Sequence, residues 1–242
     1  MGKAKASEAG VLADRPTTPA IACILPTLNE ARVLPSTLDA LAPHANSIQI
    51  IVADGGSQDG TLGIARRSQC QVVESDPGRG VQMNAGAREA NASILLFLHA
   101  DTILPPNAVD EIESILSDPS VIAGSFRLTF DRDDPLLNVY SACSSFNLGC
   151  LTYGDQGLFL RTRTFRELGG FKPYPFLEDV EFQSRLRRHG RFVKSSSPVV
   201  TSARRFTRHG VIKQQLRNFF IVALFRAGIS PTALHRFYRA AP

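Results

Sequence analysis

The sequence predicts an α/β protein built on a mostly parallel sheet with helices on both faces. Three observations lead there. Short apolar runs alternate four times with segments of helical period between residues 20 and 116, the pattern of successive strand–helix–strand units. The runs are apolar throughout, as suits strands buried on both faces. Three of them end at Asn29-Glu30, at Asp54 and at Asp101, and right-handed crossovers place those ends along one sheet edge. In open α/β sheets that edge is where ligands bind.

Taken in order, Ala20 to Leu25 reads as the first strand, stopped by Pro26, with Thr27-Leu28-Asn29-Glu30 as its loop. Val33, Leu34, Leu38 and Leu41 then recur at helical spacing. Ile48 to Ala53 is a strand ending in Asp54-Gly55-Gly56-Ser57; Gly60 to Ser68 is a helix; Val72-Val73 is a short strand. A turn at Pro77-Gly78-Arg79-Gly80 opens a helix to about Ala90. Leu95-Leu96-Phe97-Leu98 is too short for a helix and ends in His99-Ala100-Asp101; Pro105 and Pro106 suit the start of a helix over 107–116. The second half has another texture. Val121 to Phe130 alternates like a half-exposed strand, Leu136 to Leu148 is a helix, and Leu158 to Leu160 is a strand after the turn 153–157. Thr164 to Leu168 is a short helix, and Glu178 to about His189 a longer one with acids in its first turn, where the dipole favours them. Two strands near Phe192–Lys194 and Val199–Thr201 and a C-terminal helix complete the chain.

Composition sets bounds. At 242 residues, 43% hydrophobic and 20% charged, the chain is an ordinary globular one with enough length for a sizeable core. Residues 1–19 lack the apolar centre of a signal peptide and read as a disordered lead-in; 20–242 reads as a single domain with its change of texture near residue 120. A net charge of +5 suits plain solubility or an anionic ligand, membrane surface or nucleic acid. Cys23, Cys70, Cys143 and Cys150 form no C-x-x-C pair, which argues against zinc and fits a reducing, cytosolic compartment. The longest apolar run, Phe219 to Phe225, is too short to cross a membrane and reads as a core helix, with an interfacial helix as the alternative.

The chemistry sits at the sheet edge. No G-x-G-x-x-G follows the first strand and no P-loop is present. Phosphates would therefore be neutralised by a metal on a carboxylate. Asp101 suits that task, since Mg²⁺ and Mn²⁺ often combine few protein carboxylates with substrate phosphates. The alternative is that Asp101 only caps the following helix. Asp54 is placed to accept from a base or ribose, with Gly55 and Gly56 allowing close approach. Arg79 reads as a phosphate or base contact or as a solvated arginine.

Together, Pro26-Thr27-Leu28-Asn29-Glu30, Asp54-Gly55-Gly56-Ser57-Gln58-Asp59-Gly60-Thr61, His99-Ala100-Asp101 and Glu178-Asp179 resemble the family 2 glycosyltransferases of the GT-A fold. The resemblance covers roughly residues 20 to 205. It implies a nucleotide-sugar half over 20–120 and an acceptor half over 121–242, and an inverting transfer of one sugar. The implied donor is a UDP- or GDP-sugar held with Mg²⁺ or Mn²⁺. Glu30 and Asp54 would bind base and ribose, and Asp101 the metal. His99 stands where the family usually has its first acid. Pro26, Thr27, Asn29, Ser57, Gln82, Asn84 and Ala100 would complete the donor site, with Arg204 and Arg205 near the diphosphate. Asp179 matches the general base, with Glu178 beside it. His209 lies where some GT-A enzymes have a metal-binding histidine. Tyr153, Asp155 and Gln156 would shape the acceptor pocket, or serve only the turn they stand in. The Gln-x-x-Arg-Trp element of processive synthases is absent, so a single transfer is expected. His99-Ala100-Asp101-Thr102, Arg79-Gly80-x-Gln82-x-Asn84 and Tyr153-Gly154-Asp155-Gln156-Gly157 resemble a small bacterial subgroup associated with radical-SAM and arsenosugar biosynthesis genes. The expected acceptor is a small molecule or a lipid-linked hydroxyl, not nucleic acid. The expected location is cytoplasmic, with salt-sensitive membrane contact through the basic C-terminal helix. The rivals are a nucleotidyltransferase, which would carry a Gly-rich basic loop after the first strand, and a non-catalytic nucleotide-sugar-binding protein.

Overall fold

The structure is a computed structural model describing residues 19–68, 70–149, 152, 154–204 and 210–240, the side chains of 236–240 excepted. The first half reads β1 (Ile21–Thr27), α1 (Leu34–Leu41), β2 (Ile48–Asp54), α2 (Thr61–Arg67), β3 (Gln71–Glu74), α3 (Arg79–Arg88), β4 (Ile94–Phe97), β5 (Thr102–Ile103) and α4 (Ala108–Ser117). There follow β6 (Val121–Phe130), α5 (Pro135–Ser144), β7 (Leu158–Arg161), α6 (Thr162–Glu167), α7 (Glu178–His189), β8 (Arg191–Thr201), α8 (Val211–Arg226) and α9 (Pro231–Ala240). The strands form one sheet in the order β3-β2-β1-β4-β7-β6-β8-β5. β3, β2, β1 and β4 are parallel neighbours, β7 runs against both β4 and β6, and β8 is parallel to β6. The expected α/β fold with a mostly parallel sheet flanked by helices is the one observed.

The apolar runs are explained by the two faces they serve. Along β1, Ile21, Cys23 and Leu25 pack with Leu34, Leu38 and Ile112 on one side. Ala22 and Ile24 pack with Met83, Ala87 and the ring cluster Phe165, Phe171 and Phe182 on the other. With both faces dry, no alternation of polar residues is left to see.

Several expectations are corrected. Pro26 does not stop β1, which continues to Thr27 and pairs with β2 through Pro26 and Ala53. On its other side β1 pairs with β4 only as far as Ile24 and Phe97, so Pro26 has no ladder partner there to deprive of a donor. The two late strands are one, β8, interrupted where Ser125 faces Lys194 but Arg127 faces Pro198. The extra residues bulge out, and the Glu111 carboxylate collects them by accepting from Ser196 N (2.7 Å), Ser196 Oγ (2.7 Å) and Ser197 N (3.3 Å). Burial would raise the Glu111 pKa, but the hydroxyls of Ser197, Ser196 and Ser195 outweigh it and hold the group at about 2. The single C-terminal helix is two, α8 and α9. The run Phe219 to Phe225 is core on one side only: Val222 is buried in a small cluster with Leu177 and Val180, whereas Phe219 and Phe220 are 63% and 62% exposed. Among the described residues no helix is long and apolar enough to cross a membrane.

The packing between β6 and β7 is closed by an absent side chain. Gly124 faces Phe159, and a Cβ there would stand 2.5 Å from the Phe159 ring and 2.9 Å from the Val193 carbonyl oxygen. Gly124→Ala should therefore destabilise by about 1–3 kcal/mol through overpacking. Urea unfolding would show this as a lower midpoint with an unchanged slope.

Candidate functional site

The C-terminal ends of β1 and β2 are held in register by side chains spent on the backbone. Asp54 is completely buried. Its carboxylate accepts from Thr27 Oγ1 (2.9 Å), Gly56 N (2.9 Å), Ser57 N (2.7 Å) and Ser57 Oγ (2.6 Å). Gln82, on α3, donates Nε2 to the carbonyls of Thr27 (2.6 Å) and Ala53 (2.9 Å). Gly55 passes so close to Gln82 that a Cβ would meet its Cδ at 2.9 Å. Asn29, in the left-handed region at φ 56°, accepts from Gln58 N (2.8 Å), and its own N–H donates to Ser57 Oγ (2.8 Å). Asp59 completes the knot by accepting from Ala31 N and Thr61 N. The string from Asp54 to Thr61 is thus a scaffold for two loops.

Beside this scaffold stands the Asp101 carboxylate, beyond the end of β4. It does not cap α4, whose N-cap residue is Asn107. Arg204, just after β8, reaches it instead: Nη2 lies 3.1 Å from Asp101 Oδ2 and donates to both Glu30 oxygens at 3.0 and 2.9 Å. One guanidinium therefore joins the loop after β1 to the loop after β4. The preceding Ala100 is buried, and its carbonyl accepts from Thr37 Oγ1 at 2.6 Å.

The start of α7 lines a cavity together with Asp101. Its N-cap, Leu177, is left-handed at φ 64°. Asp179 Oδ2 accepts from Gly154 N at 2.6 Å, and Oδ1 from Val180 N at 2.8 Å. A Cβ on Gly154 would lie 2.8 Å from Asp179 Oδ2 and 3.3 Å from His99 Nε2, so these two groups converge on a position kept bare. Arg79 Nε is 2.8 Å from Glu178 Oε1, an ion pair by distance rather than an aligned hydrogen bond. Burial pushes the Glu178 carboxyl up, Arg79 pulls it down, and the charge of Asp179 raises it further. Arg79, His99, Asp101, Asp155 and Asp179 all line one cavity of about 510 Å³, within the usual range for small-molecule sites.

Residues 22–170 match the model of glycosyl transferase family 2. The chain belongs to that family. Among its relatives is a PGL/p-HBAD biosynthesis glycosyltransferase of Mycobacterium tuberculosis, 38% identical over 94 residues, 36% of this chain and 37% of the relative. Another is the validoxylamine A glucosyltransferase of Streptomyces hygroscopicus, 30% identical over 112 residues, 42% of this chain and 26% of the relative. The matches thus span well under half the length of these curated relatives. Among solved structures, a mannosyltransferase from Pyrobaculum calidifontis in complex with GDP-Man and Mn²⁺ superposes with a TM-score of 0.66 at 22% identity, covering 90% of this chain and 67% of the other. Glucosyl-3-phosphoglycerate synthase from M. tuberculosis, in complex with Mn²⁺, UDP and glucosyl-3-phosphoglycerate, gives 0.61 at 20% identity, covering 87% and 81%. These likenesses establish the GT-A fold.

Within this family 2 chain, the expected donor residues separate into two kinds. Glu30, Arg79, His99 and Asp101 have side chains in or beside the cavity, whereas Asp54, Ser57 and Gln82 spend theirs on the chain itself. Asp54 in particular has no acceptor site left for a ribose, since four donors saturate a carboxylate. Pro26 and Thr27 are buried in β1, and Thr27 bonds Asp54. Asn84 is also structural: it exchanges two hydrogen bonds with the backbone of Phe171, at 2.8 and 2.9 Å. Gln156 is fully buried and accepts from Lys194 Nζ. Tyr153, Arg205 and His209 lie outside the described residues, as do Cys150 and residues 1–18. The wall supplied by Tyr140, Gln214, Arg217, Asn218 and His235 was missed. Its only sequence signal is the polar spacing 214, 217, 218 on α8.

Among the described residues no three His, Cys, Asp or Glu side chains form a metal-ligating group. The arrangement still fits a divalent ion that one carboxylate, Asp101, shares with substrate phosphates.

Lys194 adds a pH dependence. Burial pushes its ammonium down to about 7, with Asp155 opposing and Arg187 adding to the shift. A lysine whose folded pKa lies below its unfolded value of about 10.4 carries its full penalty below pH 7 and loses it as pH rises. The stability of the wild type relative to Lys194→Met should therefore increase between pH 7 and 10, read as the difference between their urea midpoints.

Proposed function

We propose that this chain is an inverting glycosyltransferase that moves one sugar from a UDP- or GDP-sugar to an acceptor hydroxyl. The observation that carries this reading is that Asp101 and Asp179, 78 residues apart in the sequence, line one cavity at the ligand-binding edge of the sheet. One carboxylate suits the donor's diphosphate, the other the acceptor.

With Mg²⁺ or Mn²⁺ bound at Asp101, the negative charge growing on the departing nucleoside diphosphate would be stabilised. The rest of the work falls to side chains. Asp179, oriented by Gly154 N–H, takes the proton from the acceptor hydroxyl as its oxygen attacks the anomeric carbon. A single displacement on the face away from the leaving group inverts that carbon. Arg79 and Glu178 hold the start of α7 against α3, which positions the base. Arg204 exchanges its grip on Glu30 and Asp101 for the donor's phosphates. The subgroup reading rests on the strings around His99 and Gly154, and the acceptor is a small molecule or a lipid-linked hydroxyl.

Asp101→Ala should abolish Mn²⁺-dependent binding of UDP or GDP in calorimetry; affinity equal to wild type would refute the metal assignment. Asp179→Asn should keep nucleotide affinity and lower kcat by roughly 10²- to 10⁴-fold, the usual contribution of a general base. Undiminished turnover would place the base elsewhere.

A further inference from the structure

α8 carries apolar side chains on both sides, one set packed inward with Leu177 and Val180 and another facing solvent. Its polar residues Gln214, Arg217 and Asn218 turn inward and line the cavity with Ile221 and Val222. Its outer face carries Ile212, Leu216, Phe219 and Phe220, which are 59%, 65%, 63% and 62% exposed. At about 100° per residue these four fall within one sector of roughly 100°, opposite the cavity-facing one. α5 packs beside α8, and it and the turn after it expose Leu136, Val139, Phe146 and Leu148. Arg226 Nη2 reaches that turn, 3.3 Å from where a Gly149 Cβ would stand. Four large apolar side chains exposed on one helix sector, with more on the adjoining helix, mark an interaction surface.

Charge selects the partner. The 61 residues after Glu181 contain 13 Lys and Arg and no Asp or Glu, while the preceding 181 hold 14 Lys and Arg against 22 Asp and Glu. The positive charge of the chain is therefore concentrated in the segment that carries the apolar face. Lys213 and Arg226, both exposed, flank that face on either side. Across a twofold interface with a second copy, these cations would meet their own kind. An anionic lipid surface answers both features, since it takes apolar side chains below the headgroups and leaves basic ones among the phosphates.

We propose that α8, with the adjoining α5, seats this protein on an anionic bilayer, Ile212, Leu216, Phe219 and Phe220 entering the headgroup boundary. On the transferase reading above, on which this consequence rests, the cavity lies one helix diameter, roughly 10 Å, from that surface, and the acceptor is lipid-borne. The test uses the full chain sedimented with vesicles of phosphatidylcholine alone or mixed with phosphatidylglycerol, at low and high salt. Binding should need phosphatidylglycerol and weaken with salt. F219S/F220S and K213E should each lower the partition coefficient at least about tenfold, with thermal midpoints unchanged because all three side chains are exposed. Wild type left in the supernatant with both vesicles would overturn the proposal, as would F219S/F220S sedimenting like wild type. So would a concentration-dependent dimer that the same substitutions dissolve. A thermal-shift panel of nucleotide-sugars with Mn²⁺ on the same samples reads the donor site separately, so failure of the transferase reading and failure of the docking surface are distinguishable.

Discussion

A carboxylate that water cannot reach fixes the geometry of the sheet edge. Asp54 is tolerable in the interior only because four donors are aimed at it, and those donors come from the end of β1 and from the loop that Asp54 itself begins. The amide of Gln82 closes the same junction from α3 by donating to the carbonyls of Thr27 and Ala53. Everything further out is placed relative to this junction. Glu30 stands one turn beyond it, the Asp101 loop runs alongside, and Gly55 and Gly56 supply the backbone that a nucleotide would approach. Charge buried for architecture thus positions charge left accessible for chemistry.

The second organising contact is Arg204. It comes from the segment after β8 and lies 174 residues from Glu30 in the sequence, yet it holds Glu30 and Asp101 together. In the absence of other cations two carboxylates this close would repel, and the guanidinium resolves that. One guanidinium between two carboxylates leaves this cluster with a net negative charge, while the other carboxylate of the cavity, Asp179, is held by the N–H groups of Gly154 and Val180.

The fold class was legible because buried parallel strands leave unbroken apolar runs and because the stops between them are chemically abrupt. The positions of Asp101 and Asp179 in one cavity followed from the crossover rule and the family resemblance. What the residues did not disclose was how their side chains are spent. Gln82, Asn84 and Gln156 resemble ligand contacts in a linear reading, but each is consumed by a backbone carbonyl or by Lys194, partners that sequence spacing does not reveal. Pro26 was misread because its effect depends on whether a neighbouring strand is present at that row. The character of α8 was hidden for a related reason. Periodicity marks a helix's apolar positions but does not say which of them meet water, and α8 has them on both its packed and its exposed sides.

Leu177 has a consequence for how order is shared. A leucine in the left-handed region costs on the order of 1–2 kcal/mol, and it persists because its side chain packs with Val180, Val222 and Leu234. That small cluster is also what fastens α8 and α9 to the body of the protein. The strained turn that aims Asp179 and the anchorage of the two C-terminal helices therefore form one cooperative unit. An excursion that lifts the helices away also releases the backbone under Asp179, so hydrogen exchange at the start of α7 and along α8 should report a common opening event.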